Sequence, residues 1–172
     1  MTVQPGGGRA AVARLEKEFA SLRERYVLHL RDSTADPQVS SDLGKYVAVR
    51  LCGLLEQAVS ALSLNHVARF GGGSTVKEFA SSWIQRSANP KRGALLEHVG
   101  RFDPSWPGEL ESLLSTLDPE KTLDSFVQTR NDIAHGLTTG IGFDALDNYS
   151  SIVLGVIDWC RDKFDPLPTR TS

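Results

Sequence analysis

The chain has 172 residues, enough for one domain with a substantial core and too few to favour two. It is 40% hydrophobic and 23% charged, an ordinary globular composition. A formal net charge of −2 excludes a global basic field, so any nucleic-acid contact must come from a local patch.

Residues 1–8, MTVQPGGG, lack the apolar centre of a signal peptide and read as a flexible lead. Residues 9–165 read as a single helical domain and 166–172 as a flexible tail. The first helix is expected from Arg9 to about Arg31, with Leu15, Phe19, Leu22, Tyr26 and Leu30 as its apolar stripe. STADP breaks the chain. A second helix, about Ser40 to Arg69, carries Leu43, Val47, Leu51, Leu54, Leu55, Ala58 and Leu62 on one face, with Tyr46, Val59 and Val67 beside it. At about 45 Å it is long enough to be the spine of a bundle. No apolar run reaches the roughly 18 residues that suggest a membrane span, so none is expected.

GGGSTVKEF follows. Its spacing is wrong for a phosphate loop, because Gly, Lys and Ser/Thr are not adjacent. It reads instead as a loop, with Thr75 and Glu78 forming a capping box for a helix to about Ser87. A short helix spans about Arg92 to Arg101, with Leu95, Leu96 and Val99 apolar. FDPSWPG is a loop, and Pro107 stands near the start of a helix carrying Leu110, Leu113, Leu114 and Leu117. Asp118 and Pro119 read as the N-cap and first residue of the next helix, which carries Leu123, Phe126, Val127 and Ile133. After LTTGIGF a last helix runs from about Asp144 to Phe164. No period-2 strand is visible. The fold class is all-α, a bundle of about six or seven helices.

The penultimate helix ends in RNDIAHG, residues 130–136. Two readings are open. Gly136 suits the left-handed position after a helix, and Arg130 and His135 suit the negative end of its dipole. The same residues also suit phosphodiester cleavage. An arginine's planar fork matches phosphate oxygens, and a histidine moves protons near neutral pH. On an ideal helix Arg130 and His135 would stand about 140° apart and about 7.5 Å along the axis. That is awkward for one site in one chain, and reasonable where two copies of the helix meet across a symmetric interface.

Arg130-Asn131-x-x-x-His135 resembles the R-(polar)-x-x-x-H motif of the HEPN superfamily, the higher eukaryote and prokaryote nucleotide-binding domains. The order of elements is similar too: a helical bundle with the motif near the end of the penultimate long helix, a loop, then a long closing helix. The helix VAVRLCGLLEQAVSAL places Glu56 in an apolar setting, like the HEPN helix whose acidic residue faces the motif. The nearest likeness is to the bacterial RiboL-PSP type, over roughly residues 40–165, with the first helix less clearly matched. The resemblance implies a metal-independent endoribonuclease, a toxin or defence effector, working in the cytoplasm as a homodimer with a composite site. It implies Arg130 and His135 as the catalytic pair, with Asn131 orienting them or the phosphate and Glu56 positioning Arg130. It implies an RNA substrate, no cofactor, and an antitoxin or other regulatory protein as partner. HEPN toxins restrained by nucleotidyltransferase antitoxins often carry tyrosine two residues past the histidine; here that residue is Leu137. The family also contains inactive members, so a silent homodimer that binds a nucleotide, RNA or a protein is the alternative.

Other residues carry weaker signals. Arg86, Lys91, Arg92 and Arg101 form a basic stretch, read either as a solvated loop or as an RNA contact. Trp83, Trp106 and Trp159 offer rings for base stacking, with Trp159 better suited to the core. Asp124 and Asp132 read as exposed carboxylates, Asp132 standing where it could tune His135. His29, His66 and His98 read as surface or helix-face residues, and no spacing suggests a metal site. Cys52 and Cys160 lie in apolar helical patterns and read as buried free thiols.

Overall fold

A computed structural model describes residues 7–70, 73–86, 90–137 and 140–167, the side chains of residues 85 and 86 excepted. Seven helices make up the described fold: α1 (Gly7–Arg31), α2 (Pro37–Phe70), α3 (Ser74–Arg86), α4 (Arg92–Gly100), α5 (Trp106–Leu117), α6 (Leu123–Ala134) and α7 (Phe143–Phe164). Among the described residues there is no strand.

Helix α2 is the spine. Val47, Ala48, Leu51, Cys52, Leu54, Leu55, Ala58, Val59 and Leu62 are all buried, which leaves little of its middle facing water. A helix apolar on most sides must be covered on most sides. Helices α1, α7, α3 and α6 do the covering. By length and composition α2 is apolar enough to cross a bilayer, but over half of its apolar window is buried against these helices.

Helix α1 lies along α2 through a heptad-like seam. Val12, Phe19 and Tyr26 are buried at seven-residue steps, with Leu15 and Leu22 partly buried between them. Leu30, expected in the stripe, is exposed. The next seam position belongs to His29, whose Nε2 lies 3.0 Å from Ser40 Oγ. Gly44 lets the two helices close up, since a Cβ there would stand 2.9 Å from Tyr26 Oη.

Helix starts depend on where the caps come from. Helix α2 begins three residues earlier than expected. Asp36 Oδ1 accepts from the amides of Gln38 (2.7 Å) and Val39 (3.3 Å), and Pro37 takes the first helical position. The same Asp-Pro pair at 118–119 behaves differently. Residues 119–122 form a turn with Lys121 at φ 56°, and α6 starts only at Leu123. Asp118 still serves it, accepting from the amides of Thr122 (2.7 Å) and Leu123 (3.0 Å). In α3 the turn begins on the Gly73 carbonyl, which accepts from Val76 and Lys77. Thr75 therefore lies inside the helix, and no Thr75–Glu78 capping box is present among the described residues. Lys77 donates to the Ala68 carbonyl at 3.0 Å, closing the end of α2.

Helix α1 begins at Gly7, inside the segment expected to be a flexible lead, and residues 1–6 lie outside the described ones. Its start is anchored on the far end of the chain. Asp165, buried after α7, accepts from the Arg9 amide (3.1 Å) and from Arg69 Nη1 (2.5 Å), while its carbonyl accepts from Arg9 Nε (2.6 Å). Arg161 donates to Glu16 at 2.6 Å, and Arg23 pairs with Asp147, along the same α1–α7 border.

At this end an aromatic cluster gathers His66, Phe102, Trp106 and Phe164, with Trp106 edge-on to Trp159. His98 is buried, lies 2.8 Å from Ser63 Oγ and stacks on Trp83, which corrects its reading as a surface residue. Burial pushes its imidazole down to about 4, so it is neutral at physiological pH. His66 is half-buried, its Nδ1 3.0 Å from the Phe164 carbonyl.

This packing can be tested at two points. Asp165→Ala leaves Arg69 and the start of α1 without their acceptor and should lower unfolding free energy by about 3 kcal/mol in urea titrations. Cys52 and Cys160 are buried, with thiols pushed up to about 11 and about 12. Neither should react with a disulfide reagent at pH 8 until denaturant is added.

Candidate active site at the end of the sixth helix

Helix α6 packs Phe126 and Val127 inward, with Tyr149 of α7 stacked on Phe126 at 4.4 Å between ring centroids. That packing turns the next residues, Arg130 and Asn131, toward α2. Arg130 Nη2 donates to Glu56 Oε1 at 2.8 Å, and Arg130 Nη1 donates to Asn131 Oδ1 at 3.0 Å. The arginine side chain is 26% exposed and the glutamate 17%. The guanidinium is thus held from two sides with one edge open.

Glu56 is the polar break in α2. Burial raises its carboxyl above the ordinary range, and Arg130 pulls it the other way. Cys52 Sγ lies one turn back, 4.0 Å from the same carboxylate oxygen.

His135 sits beyond the end of α6. It is the C-cap, at φ −89° and ψ 7°. The Gly136 amide donates to the Ile133 carbonyl (3.0 Å) and the Leu137 amide to the Asp132 carbonyl (2.9 Å). With Gly136 at φ 76° this is a Schellman end. The backbone satisfies its own carbonyls, so the imidazole is not needed as a cap. His135 is exposed and makes no side-chain hydrogen bond among the described residues. The five-residue step is helical only as far as Ala134, so the ideal 140° separation does not hold through its last residue.

Asp132, half-buried where exposure was expected, accepts from Gln128 Nε2 at 2.8 Å and has no hydrogen bond to His135. Arg92 is buried. It forks onto Glu111 at 2.8 and 3.0 Å, and its amide donates to Asp124 Oδ1 at 2.7 Å. It ties α4 to α5 and α6, and its guanidinium is buried, with Nη1 unpaired. Arg101 donates to Glu97 and lies over Trp83, 4.1 Å from the ring centroid. Lys91, half-exposed, precedes α4, and the Arg86 side chain lies outside the described residues. Among the described side chains the basic stretch therefore does not form one surface. Trp83, Trp106 and Trp159 all pack within the aromatic cluster.

The family model described as RiboL-PSP-HEPN matches residues 13–164. The chain belongs to the RiboL-PSP-HEPN family. The match takes in most of α1 as well, further than the motif-bearing region from residue 40 suggested by sequence. No curated protein and no solved structure matches the chain. In this HEPN domain the motif bridges two elements far apart in sequence, Glu56 on α2 and the last turn of α6.

Two measurements test the geometry. Gly136→Ala forces a Cβ into left-handed backbone and should cost about 1 kcal/mol in thermal or urea unfolding. Glu56→Gln keeps an oxygen for Arg130 but removes the buried charge. With a raised pKa, the carboxyl's contribution is full below the ordinary glutamate value and is lost as pH rises through the folded value. Wild-type stability should therefore fall relative to Glu56→Gln between mild acid and neutral pH.

Proposed function

We propose that this HEPN domain is a metal-independent endoribonuclease, acting in the cytoplasm as a homodimer whose composite site holds Arg130 and His135 of each copy. One observation carries the reading. Arg130 is pre-set by Glu56 and Asn131 and stays partly exposed, and five residues on is an exposed histidine that the helix end does not use. HEPN domains are typically ribonucleases, which supports the same reading.

The chemistry is an intramolecular transfer. The ribose 2′-oxygen bonds to the adjacent phosphorus as the bond to the 5′-oxygen breaks. The products are a 2′,3′-cyclic phosphate and a 5′-hydroxyl. Arg130 would neutralise the charge that builds on the phosphate oxygens, using donors already oriented. His135 would take the 2′-proton or deliver one to the leaving oxygen, and the second copy's histidine supplies the complementary step. The dimer thus provides both an acid and a base from one motif.

A silent homodimer is the other reading, favoured by the commitment of both Arg130 terminal nitrogens to protein partners. One assay separates the two. Purified protein with EDTA should cut RNA to cyclic-phosphate ends, and His135→Ala should slow it by about 10²–10⁴-fold. The specific rate should also fall on dilution as the dimer dissociates. Inert wild-type protein that still dimerises would leave the silent reading.

A further inference from the structure

The sequence directed attention to the basic stretch at 86–101, but the folded chain also gathers cations elsewhere. Most described arginines are engaged. Arg9, Arg23, Arg69, Arg92, Arg101, Arg130 and Arg161 are all within hydrogen-bond distance of a carboxylate, while Arg50 stands 3.7 Å from Glu18. Three cations without a carboxylate partner among the described residues, Arg14, Lys17 and Arg25, lie on one face of α1. They are exposed and span about 16 Å of helix. Across the seam on α2, Arg50 and Tyr46 are also exposed.

Two hollows occupy this seam. One, about 420 Å³, is lined by Lys17, Ser21, Arg25, Tyr46 and Arg50, with Glu18 at its edge. The second, about 520 Å³, is lined by Arg14, Leu15, Val59, Leu95 and Glu56 among others, and it also includes Glu18. They share Glu18, so the two hollows adjoin along the seam. Glu56, the residue that holds Arg130, is among those lining the second hollow.

We infer that the α1–α2 groove is a track for single-stranded RNA, with phosphates on Arg14, Lys17, Arg25 and Arg50 and a base on Tyr46, leading toward Arg130. The choice of RNA rests on the ribonuclease reading; the track itself rests on three features. The groove's four cations, Arg14, Lys17, Arg25 and Arg50, outnumber its two acidic residues, Glu18 and Glu56, and the Glu18 oxygen is 3.7 Å from Arg50, too far for a hydrogen bond. An exposed aromatic ring among cations is the usual device for sequence-tolerant stacking. The surface is concave, which suits a strand and not a flat bilayer. A second copy seated by symmetry on this groove would bring like charges together.

The test is fluorescence anisotropy with a labelled, fully 2′-O-methylated oligonucleotide, which lacks the attacking hydroxyl, on His135→Ala protein. The triple variant Lys17→Ala, Arg25→Ala, Arg50→Ala should bind at least about tenfold more weakly. Its salt slope should fall by about 0.7 for each phosphate no longer neutralised. Arg25→Lys with Arg50→Lys should bind nearly as the parent does, and Tyr46→Ala should bind several-fold more weakly. Circular dichroism should be unchanged, because these side chains are exposed. The inference is overturned if the triple variant binds like its parent. It is also overturned if Arg31→Ala with Lys121→Ala, cations elsewhere on the surface, costs as much. Binding to phosphatidylserine vesicles but not to the oligonucleotide would assign the groove to a membrane and end the RNA proposal. Weakened binding by the triple variant alongside an inert wild type would keep the track and remove the nuclease. Cleavage by the wild type, with binding and cleavage unchanged in the triple variant, would do the reverse.

Discussion

A carboxylate on the most buried helix of a bundle has to find a partner, and much of this structure is arranged around that need. Helix α2 is enclosed by its neighbours, and Glu56 is the acidic side chain in its middle stretch. Losing water raises its pKa, and a cation within hydrogen-bond distance offsets the loss. Arg130 is that cation. The position of α6 against α2 is therefore tied to an electrostatic requirement as well as to Phe126 and Val127.

Arg130 and His135 are fixed by different means. Arg130 is set from inside, by a core that needs it. His135 is set from outside, by a backbone that finishes its own hydrogen bonds and leaves the ring free. Rigidity is thus given to the group that would hold charge, and exposure to the group that would exchange protons. The α1–α2 groove approaches the same carboxylate from the α1 side.

The all-helical class and the order of the long helices were legible because the apolar periods of α1, α2 and α7 run for many turns. The link between RNDIAHG and Glu56 was legible only through the family resemblance, since nothing local joins residues 56 and 130. Boundaries were harder where a cap comes from elsewhere. Asp36-Pro37 starts a helix directly, whereas Asp118-Pro119 caps one from five residues back, after a turn through Lys121. The dipeptide is the same, and the following residues decide. Charge was the least legible property. Arg92 looks like a surface cation in sequence, yet it is buried on Glu111, while Arg14, Lys17 and Arg25 drew no notice within an ordinary amphipathic pattern. Which cations are free depends on where every carboxylate lands, and no short window contains that information. His98 escaped for a related reason: Ser63, its polar neighbour, is 35 residues away.

Asp165 gives the molecule one more property. By gripping the Arg9 amide and side chain it brings the opening of α1 against the close of α7, so the described fold is nearly a closed ring. The backbone could be joined there by a short linker and reopened at the exposed Gly140 without moving a core residue. Such a permuted chain would make the motif's helix, α6, its last element and α7 its first. Order along the chain is then separable from the arrangement of helices in space, and what must be preserved is the set of contacts around α2.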